Sequence, residues 1–304
     1  MSQKKRNPVV MFFVMLKDTF KLFKANDPLR LAGATAFFAN FALPPILIIL
    51  IRLFGIFTDR RTFVSNLFDR LSNILDESSI NQVRQTLRNI RGIEQEWYVT
   101  LISFVFFIFV ATTLFSVIKN SLDQIWNIGI SADKGFLFRL KLRAISFVII
   151  LIAGILFFLG LIADSIQAYI GNLVKDAPHS IGLVFMSLLN QLVFILIVTT
   201  WFTILFRFLT NGRPKWKAAF AGGLLTGCLF TGGKFILRFL LPLSNIENIY
   251  GTSGSIVLIM LFVFYSSFIF YFGGCFVKVF SSVKKTPIRP ISGTYNYELK
   301  ALIQ

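Results

Sequence analysis

The chain has one histidine, two cysteines and only fourteen acidic residues among 304, and each scarcity removes a kind of chemistry. A zinc or nuclease-type metal centre needs several convergent His, Cys or carboxylate ligands. The lone His179 stands beside Pro178 in a short loop and reads as a solvated residue. No Gly-x-Ser-x-Gly elbow accompanies it, so a Ser-His-Asp hydrolase is not indicated. A P-loop glycine pattern is missing too, and ATP is not an expected fuel. Cys228 and Cys275 both lie inside apolar runs, which argues against a disulfide framework. After Lys4-Lys5-Arg6 only a short apolar stretch precedes Lys17, without a small-residue cleavage site, so no signal peptide is expected. No internal repeat or low-complexity linker divides the chain. The expectation is a single membrane domain that is not an enzyme, with no catalytic residue, metal or cofactor.

Apolar residues are what the chain has in excess. They make up 55% of it, 37 of them phenylalanine, and the mean hydropathy is +0.72. A soluble fold has no place for that much apolar surface, so it faces lipid. Crossing the hydrocarbon core takes roughly 20 apolar residues, and six stretches qualify: about 30–51, 98–118, 144–166, 181–206, 216–241 and 254–277. The expected fold class is an all-α integral membrane protein with six transmembrane helices. Asp27 is placed to cap the first of them, with Pro28 in its first turn. Pro44 and Pro45 are expected to kink or break that helix before its far end.

Basic residues outnumber acidic ones by 31 to 14, a net charge of +17. Lysine and arginine accumulate in cytoplasmic loops, which explains the excess without a nucleic-acid surface, and no nucleic-acid partner is expected. With the N-terminus inside, segments 1–30, 119–143, 207–217 and 278–304 hold 21 basic and five acidic residues, whereas the opposite side holds eight and nine. An even number of crossings with both termini cytoplasmic follows. Residues 1–29 form the cytoplasmic N-terminal segment, 30–277 the membrane domain and 278–304 a cytoplasmic tail.

Two further segments are amphipathic. In 9–24, Lys17, Lys21 and Lys24 share one stripe, and Phe12, Leu16, Phe20 and Phe23 another, as in a helix lying in the cytoplasmic interface against membrane lipids. In 62–91, Phe63, Leu67, Phe68, Leu71, Ile74 and Leu75 recur at helical spacing. Ser79-Ile80-Asn81-Gln82 then reads as a capping box for a second short helix, which together give an outer helical hairpin.

Candidate site residues cluster in three places. In the fifth span Lys234 and Arg238 share a face within the bilayer, where a charge either lines a cavity or snorkels outward. Asn40 and Pro44 in span one would border such a cavity, with Asp164 and Glu247 as outer counter-charges. The same fifth span repeats Ala219, Gly223, Gly227 and Thr231, small residues that let another helix approach closely. At the inner end of span two, Ser116, Asn120, Asp123 and Trp126 form a polar strip. That strip lines a vestibule or staples the helix to the loop around Arg139, Lys141 and Arg143. Finally, Tyr250, Gly251 and Gly254 mark a tight turn before span six.

Read in order, Ala34-Thr35-Ala36-Phe37-Phe38 followed by Pro44, Leu122-Asp123-Gln124-Ile125-Trp126, Gly222, and Ile249-Tyr250-Gly251 resemble the BrkB/YihY family of bacterial inner-membrane proteins, once labelled ribonuclease BN-like. The resemblance covers nearly the whole chain and implies a six-helix inner-membrane fold, with links to serum resistance and to lipid or lipopolysaccharide export. Two departures stand out. Asp123-Gln124 replaces the usual Asn-Arg, and Gly273-Gly274-Cys275 replaces a Gly-Ala-Glu-like sequence; the loss of that acid weakens the carry-over of a family-wide proton or cation site. The ribonuclease label has no metal-ligand cluster behind it. The functional expectation is a transporter or exporter of a lipid-like or anionic substrate. The alternative is a non-transporting scaffold of the cell envelope, working through its hairpin and tails, with a homo-oligomer or envelope proteins as partners.

Overall fold

The computed structural model describes residues 8–54, 60–72, 77–91, 97–131, 179–240 and 254–298, together with isolated helical positions between 144 and 159. Most of the expected third span falls outside the described residues, as do Asp164, Glu247, Tyr250 and Gly251. The described part is helical: α1 Pro8–Ala25, α2 Pro28–Phe54, α3 Arg60–Ser72, α4 Glu77–Arg91, α5 Trp97–Trp126, α6 His179–Ile204, α7 Trp216–Leu240 and α8 Gly254–Val283. A π-helical turn, Leu205–Leu209, continues α6. Two helices, Leu188–Leu209 and Ile256–Val283, are both long and apolar enough to cross a membrane. By length alone α2, α5 and α7 also suffice, at 27, 30 and 25 residues.

Helix α8 is the axis. It packs along α1, α2, α5 and α7, while α6 lies against α7 and α2 against α5. Phe206, Tyr271, Leu122, Ile125 and Val277 interlock in the main core, with Phe206 stacked on Phe270 at 4.9 Å. At the other end of α2 and α8, the segment expected as a hairpin holds α3 and α4. Leu67, Phe68, Ile80, Val83 and Leu87 bury their apolar faces against Leu47, Ile51 and Ile259.

Several sequence expectations need correction. Helix α2 runs unbroken through Pro44 and Pro45. The prolines remove two internal hydrogen bonds, but neighbouring helices brace the segment, with Ala39, Ala42 and Leu114 closing on one another beside it. Pro28 does take the first position of α2, but Asp27 adopts φ 49°, outside the extended region typical of an N-cap, and meets Arg30 at 3.8 Å instead. Helix α4 begins at Glu77, so Ser79 lies inside its first turn rather than capping it; the acid in that turn suits the positive end of the helix. In α1 the buried side is Met15, Thr19 and Phe23, with Phe23 edge-on to Phe268 and Phe272 of α8. Phe12 and Phe20, expected on the same apolar stripe as Phe23, are exposed with Phe13, beside Lys17, Lys21 and Lys24.

An all-α description also omits two small ribbons. Strand β1, Ile128–Ile130, pairs antiparallel with β4, Thr294–Asn296; β2, Gly212–Arg213, pairs with β3, Arg289–Pro290. The tail after α8 is thereby held against the end of α5 and the α6–α7 turn. Each strand is two or three residues long, too short for any periodicity to register.

Candidate functional site

Two groups of polar residues stand out in this apolar bundle. The first closes the end where α5, the α6–α7 turn and α8 meet. Helix α5 ends with Asn127 at φ 57°, a left-handed cap. Lys278 of α8 donates to the carbonyl of Ile125 at 2.7 Å and to Asn127 Oδ1 at 3.2 Å, setting a cation on the negative end of the helix. Trp126 Nε1 donates to the carbonyl of Gly274 at 2.9 Å. One turn earlier, Asp123 accepts two hydrogen bonds, from Asn211 N–H at 2.9 Å and from Asn211 Nδ2 at 2.7 Å. Arg213 donates to the carbonyls of Arg207 and Thr210 at 3.0 and 2.8 Å, capping the end of the π-helical turn. Arg207 in turn donates to the carbonyl of Pro214 and lies over the Trp216 ring.

Electrostatically this cluster is unusual because its carboxylate is buried. Burial pushes the Asp123 carboxyl up to about 6, against the Asn211 hydrogen bonds and the charges of Lys119 and Arg213, which pull it down. Lys119, also buried, is pushed below its ordinary value by the same desolvation, partly offset by Asp123. Above this layer, Thr35 of α2 and Tyr271 of α8 share a buried 2.6 Å hydrogen bond, and Ser121 of α5 bonds the same phenol. Three helices are thus tied at one hydroxyl.

Of the expected polar strip, Asp123 and Trp126 are therefore staples. They hold the α6–α7 turn and α8; Arg139, Lys141 and Arg143 lie outside the described residues. Asn120 is exposed, and Ser116 returns its hydroxyl to the carbonyl of Thr112, so the four do not line one surface.

The second group is the α6–α7 seam. A Cβ at Gly223 would collide with the Thr203 hydroxyl, and one at Gly227 would come within 2.7 Å of Thr199 Oγ1. The small-residue stripe is where α6 and α7 touch. On its adjoining side α7 meets α8: a Cβ at Gly222 would strike Val277, and one at Gly233 the ring of Tyr265, whose hydroxyl donates to the carbonyl of Leu229 at 3.1 Å. Lys234 is half-buried, its Nζ 4.3 Å from the centre of the Phe194 ring on α6. Asn40 and Pro44 are half-buried on α2, and α8 packs along both α2 and α7. Asn40 and Pro44 thus stand on one neighbour of α8 and Lys234 on another. Arg238 belongs to α7 by its backbone; its side chain, like Asp164, is outside the described residues. Gly254 is buried as the first residue of α8. Among the described residues no three His, Cys, Asp or Glu side chains come together.

Reading the sequence alone missed Asn211, Tyr271 and Thr199, and gave Thr35 only as part of the family resemblance and Thr231 only as a small packing residue. Asn211-Gly212 is a turn signal, but nothing local marks Asn211 as the partner of a carboxylate 88 residues away.

The family model for virulence factor BrkB matches residues 19–290, and the chain belongs to that family. It is 25% identical over 190 residues to a UPF0761 membrane protein of Glaesserella parasuis serovar 5, covering 60% of this chain and 62% of that relative. To a UPF0761 membrane protein of Mannheimia succiniciproducens it is 22% identical over 252 residues, 79% and 80% of the two chains. No solved structure matches it. The residues that carried the resemblance fall largely in the two groups above: Thr35, the run Leu122–Trp126, and Gly222 all sit in helix-to-helix contacts.

Proposed function

For this membrane protein of the BrkB family we propose a multi-pass role in the bacterial inner membrane, moving a lipid-like or anionic substrate, with six crossings and both termini cytoplasmic. The observation that carries the reading is Lys234, a cation on a helix of spanning length that turns toward the Phe194 ring on the neighbouring helix. Ammonium groups within a span are costly and, where they face a partner helix, mark substrate or ion paths. Orientation is supported by the gathering of basic segments: the start of the chain packs on the C-terminal half of α8, beside the end of α5 and the α6–α7 turn. Those are the segments with positive charge.

Replacing Lys234 with Ala should abolish headgroup movement by the purified protein in liposomes, with the amount of protein in the membrane unchanged; Lys234→Arg should retain part of it. Equal rates for wild type and Lys234→Ala would sink the role of Lys234. No movement by wild type above protein-free liposomes would sink the transport reading and leave the scaffold alternative, which rests on the α3–α4 hairpin and its own apolar seat on α2 and α8. In that case removal of the hairpin, and not of the lysine, would abolish function.

A further inference from the structure

Threonine in a helix ordinarily returns its hydroxyl to the carbonyl four residues before it. Thr19, Thr35, Thr112, Thr200, Thr203 and Thr226 all do so here, at 2.7 to 3.0 Å. Thr199 and Thr231 do not. Both are more than nine-tenths buried, at 2% and 5% exposure, and neither hydroxyl has a hydrogen-bond partner among the described residues. Both lie on the α6–α7 seam. Thr199 Oγ1 points at Gly227, and Thr231 follows Gly227 by one helical turn on the same face of α7.

A seam that served only to pack two helices would be better filled by valine, which has the same shape and no hydroxyl to leave unpaired. Two orphaned donors facing a glycine stripe are instead suited to a surface that parts and binds. Their chemistry also selects the sign of the ligand. Lys234 lies three residues beyond Thr231, and neither His179–Ile204 nor Trp216–Leu240 contains an acidic residue. Two hydroxyl donors beside an ammonium group favour an anion over a cation.

We propose that the α6–α7 seam is a binding site for a phosphate-type anion, the chemistry a phospholipid headgroup presents, approached past Lys234 and hydrogen-bonded by Thr199 and Thr231 when the two helices separate. This deepens the transport reading and rests on it for biological purpose, but binding is measured without transport. The test is a calorimetric titration of the full-length protein in mild detergent with short-chain phosphatidylglycerol, phosphatidylcholine of the same chain length, and inorganic phosphate. Wild type should bind phosphatidylglycerol saturably. The Thr199→Val/Thr231→Val pair should bind it at least tenfold more weakly with an unchanged or higher melting temperature, and Lys234→Met should lose a similar factor. Thr200→Val, at an exposed neighbour whose hydroxyl is already bonded to the carbonyl of Leu196, should bind as wild type does. Inorganic phosphate binding as tightly, with the same losses, supports the site and assigns it to free phosphate. Unchanged affinity in the double variant, equal binding of phosphatidylcholine, or no binding of either anion by wild type overturns the proposal. Seam-dependent binding with no lipid movement by wild type in liposomes would leave the site standing and reject the transport reading.

Discussion

At the scale of single residues, Asp123 decides most. Its carboxylate satisfies both donors of Asn211, yet burial makes the charged form costly, and the carboxyl is pushed up from 3.8 to about 6. A raised carboxyl value means the folded chain holds the proton more tightly than the unfolded one. Its contribution to stability is therefore full below about pH 4, falls as pH rises toward 6, and is level above. Asp123→Asn should flatten that part of the melting-temperature profile while keeping the fold. Its amide offers an acceptor to the Asn211 N–H and, with the Asn211 amide flipped, a donor to Asn211 Oδ1, which is buried without a partner among the described residues. Asp123→Ala leaves the Asn211 donors unpaired, at about 1–3 kcal/mol for each, and should lower the melting temperature at every pH. A profile identical in wild type and Asp123→Asn between pH 4 and 6 would show that another group sets it.

At the scale of helices, glycines in α7 are not equivalent, and the difference is testable with one methyl group. A Cβ at Gly223 meets the Thr203 hydroxyl and, at 2.9 Å, both the Thr199 carbonyl and the Thr203 amide, so the backbones must separate; at Gly232 it meets nothing within 4 Å. Gly223→Ala should cost about 1–3 kcal/mol through overpacking. Gly232→Ala should be neutral or gain up to about 1 kcal/mol of helix propensity. Thermal unfolding in detergent reads both; equal effects would mean the two helices do not touch along this stripe. The spacing of Ala219, Gly223, Gly227 and Thr231 made this interface legible from sequence, because close helix approach depends on a local period. What Pro44 and Pro45 would do was not legible. A proline breaks a helix unless neighbours brace it, and the brace comes from helices distant in the chain. The ribbons were hidden for the same reason, since Ile128 finds Asn296 and Gly212 finds Pro290 only after the bundle has formed. Lys234 was visible as a charge within an apolar run. Thr231 was visible only as a small residue of the stripe and Thr199 not at all, because an unpartnered hydroxyl is a fact about neighbours, not about composition.

At the scale of the whole molecule, charge and architecture converge on one end. The segments richest in lysine and arginine are those that the C-terminal segment stitches together. Lys278 caps α5, β3 pairs with the α6–α7 turn, β4 pairs with the residues after α5, and α1 lies along the same half of α8. If that end faces the cytoplasm, one experiment tests both the clasp and the orientation. Ile130 and Thr294 are paired across β1 and β4, a separation that suits a disulfide, and Ile130 is exposed. With Cys228 and Cys275, both free thiols, replaced by serine and alanine, Ile130→Cys/Thr294→Cys should cross-link under mild oxidation in native membranes. In the reduced state, a membrane-impermeant maleimide should leave this variant unlabelled in intact spheroplasts and label it after permeabilisation. Labelling of intact spheroplasts would invert the orientation proposed from the charge distribution. Failure to cross-link would free the tail from α5 and leave the Asp123–Asn211 contact, rather than the ribbons, as the tie between α5 and the α6–α7 turn.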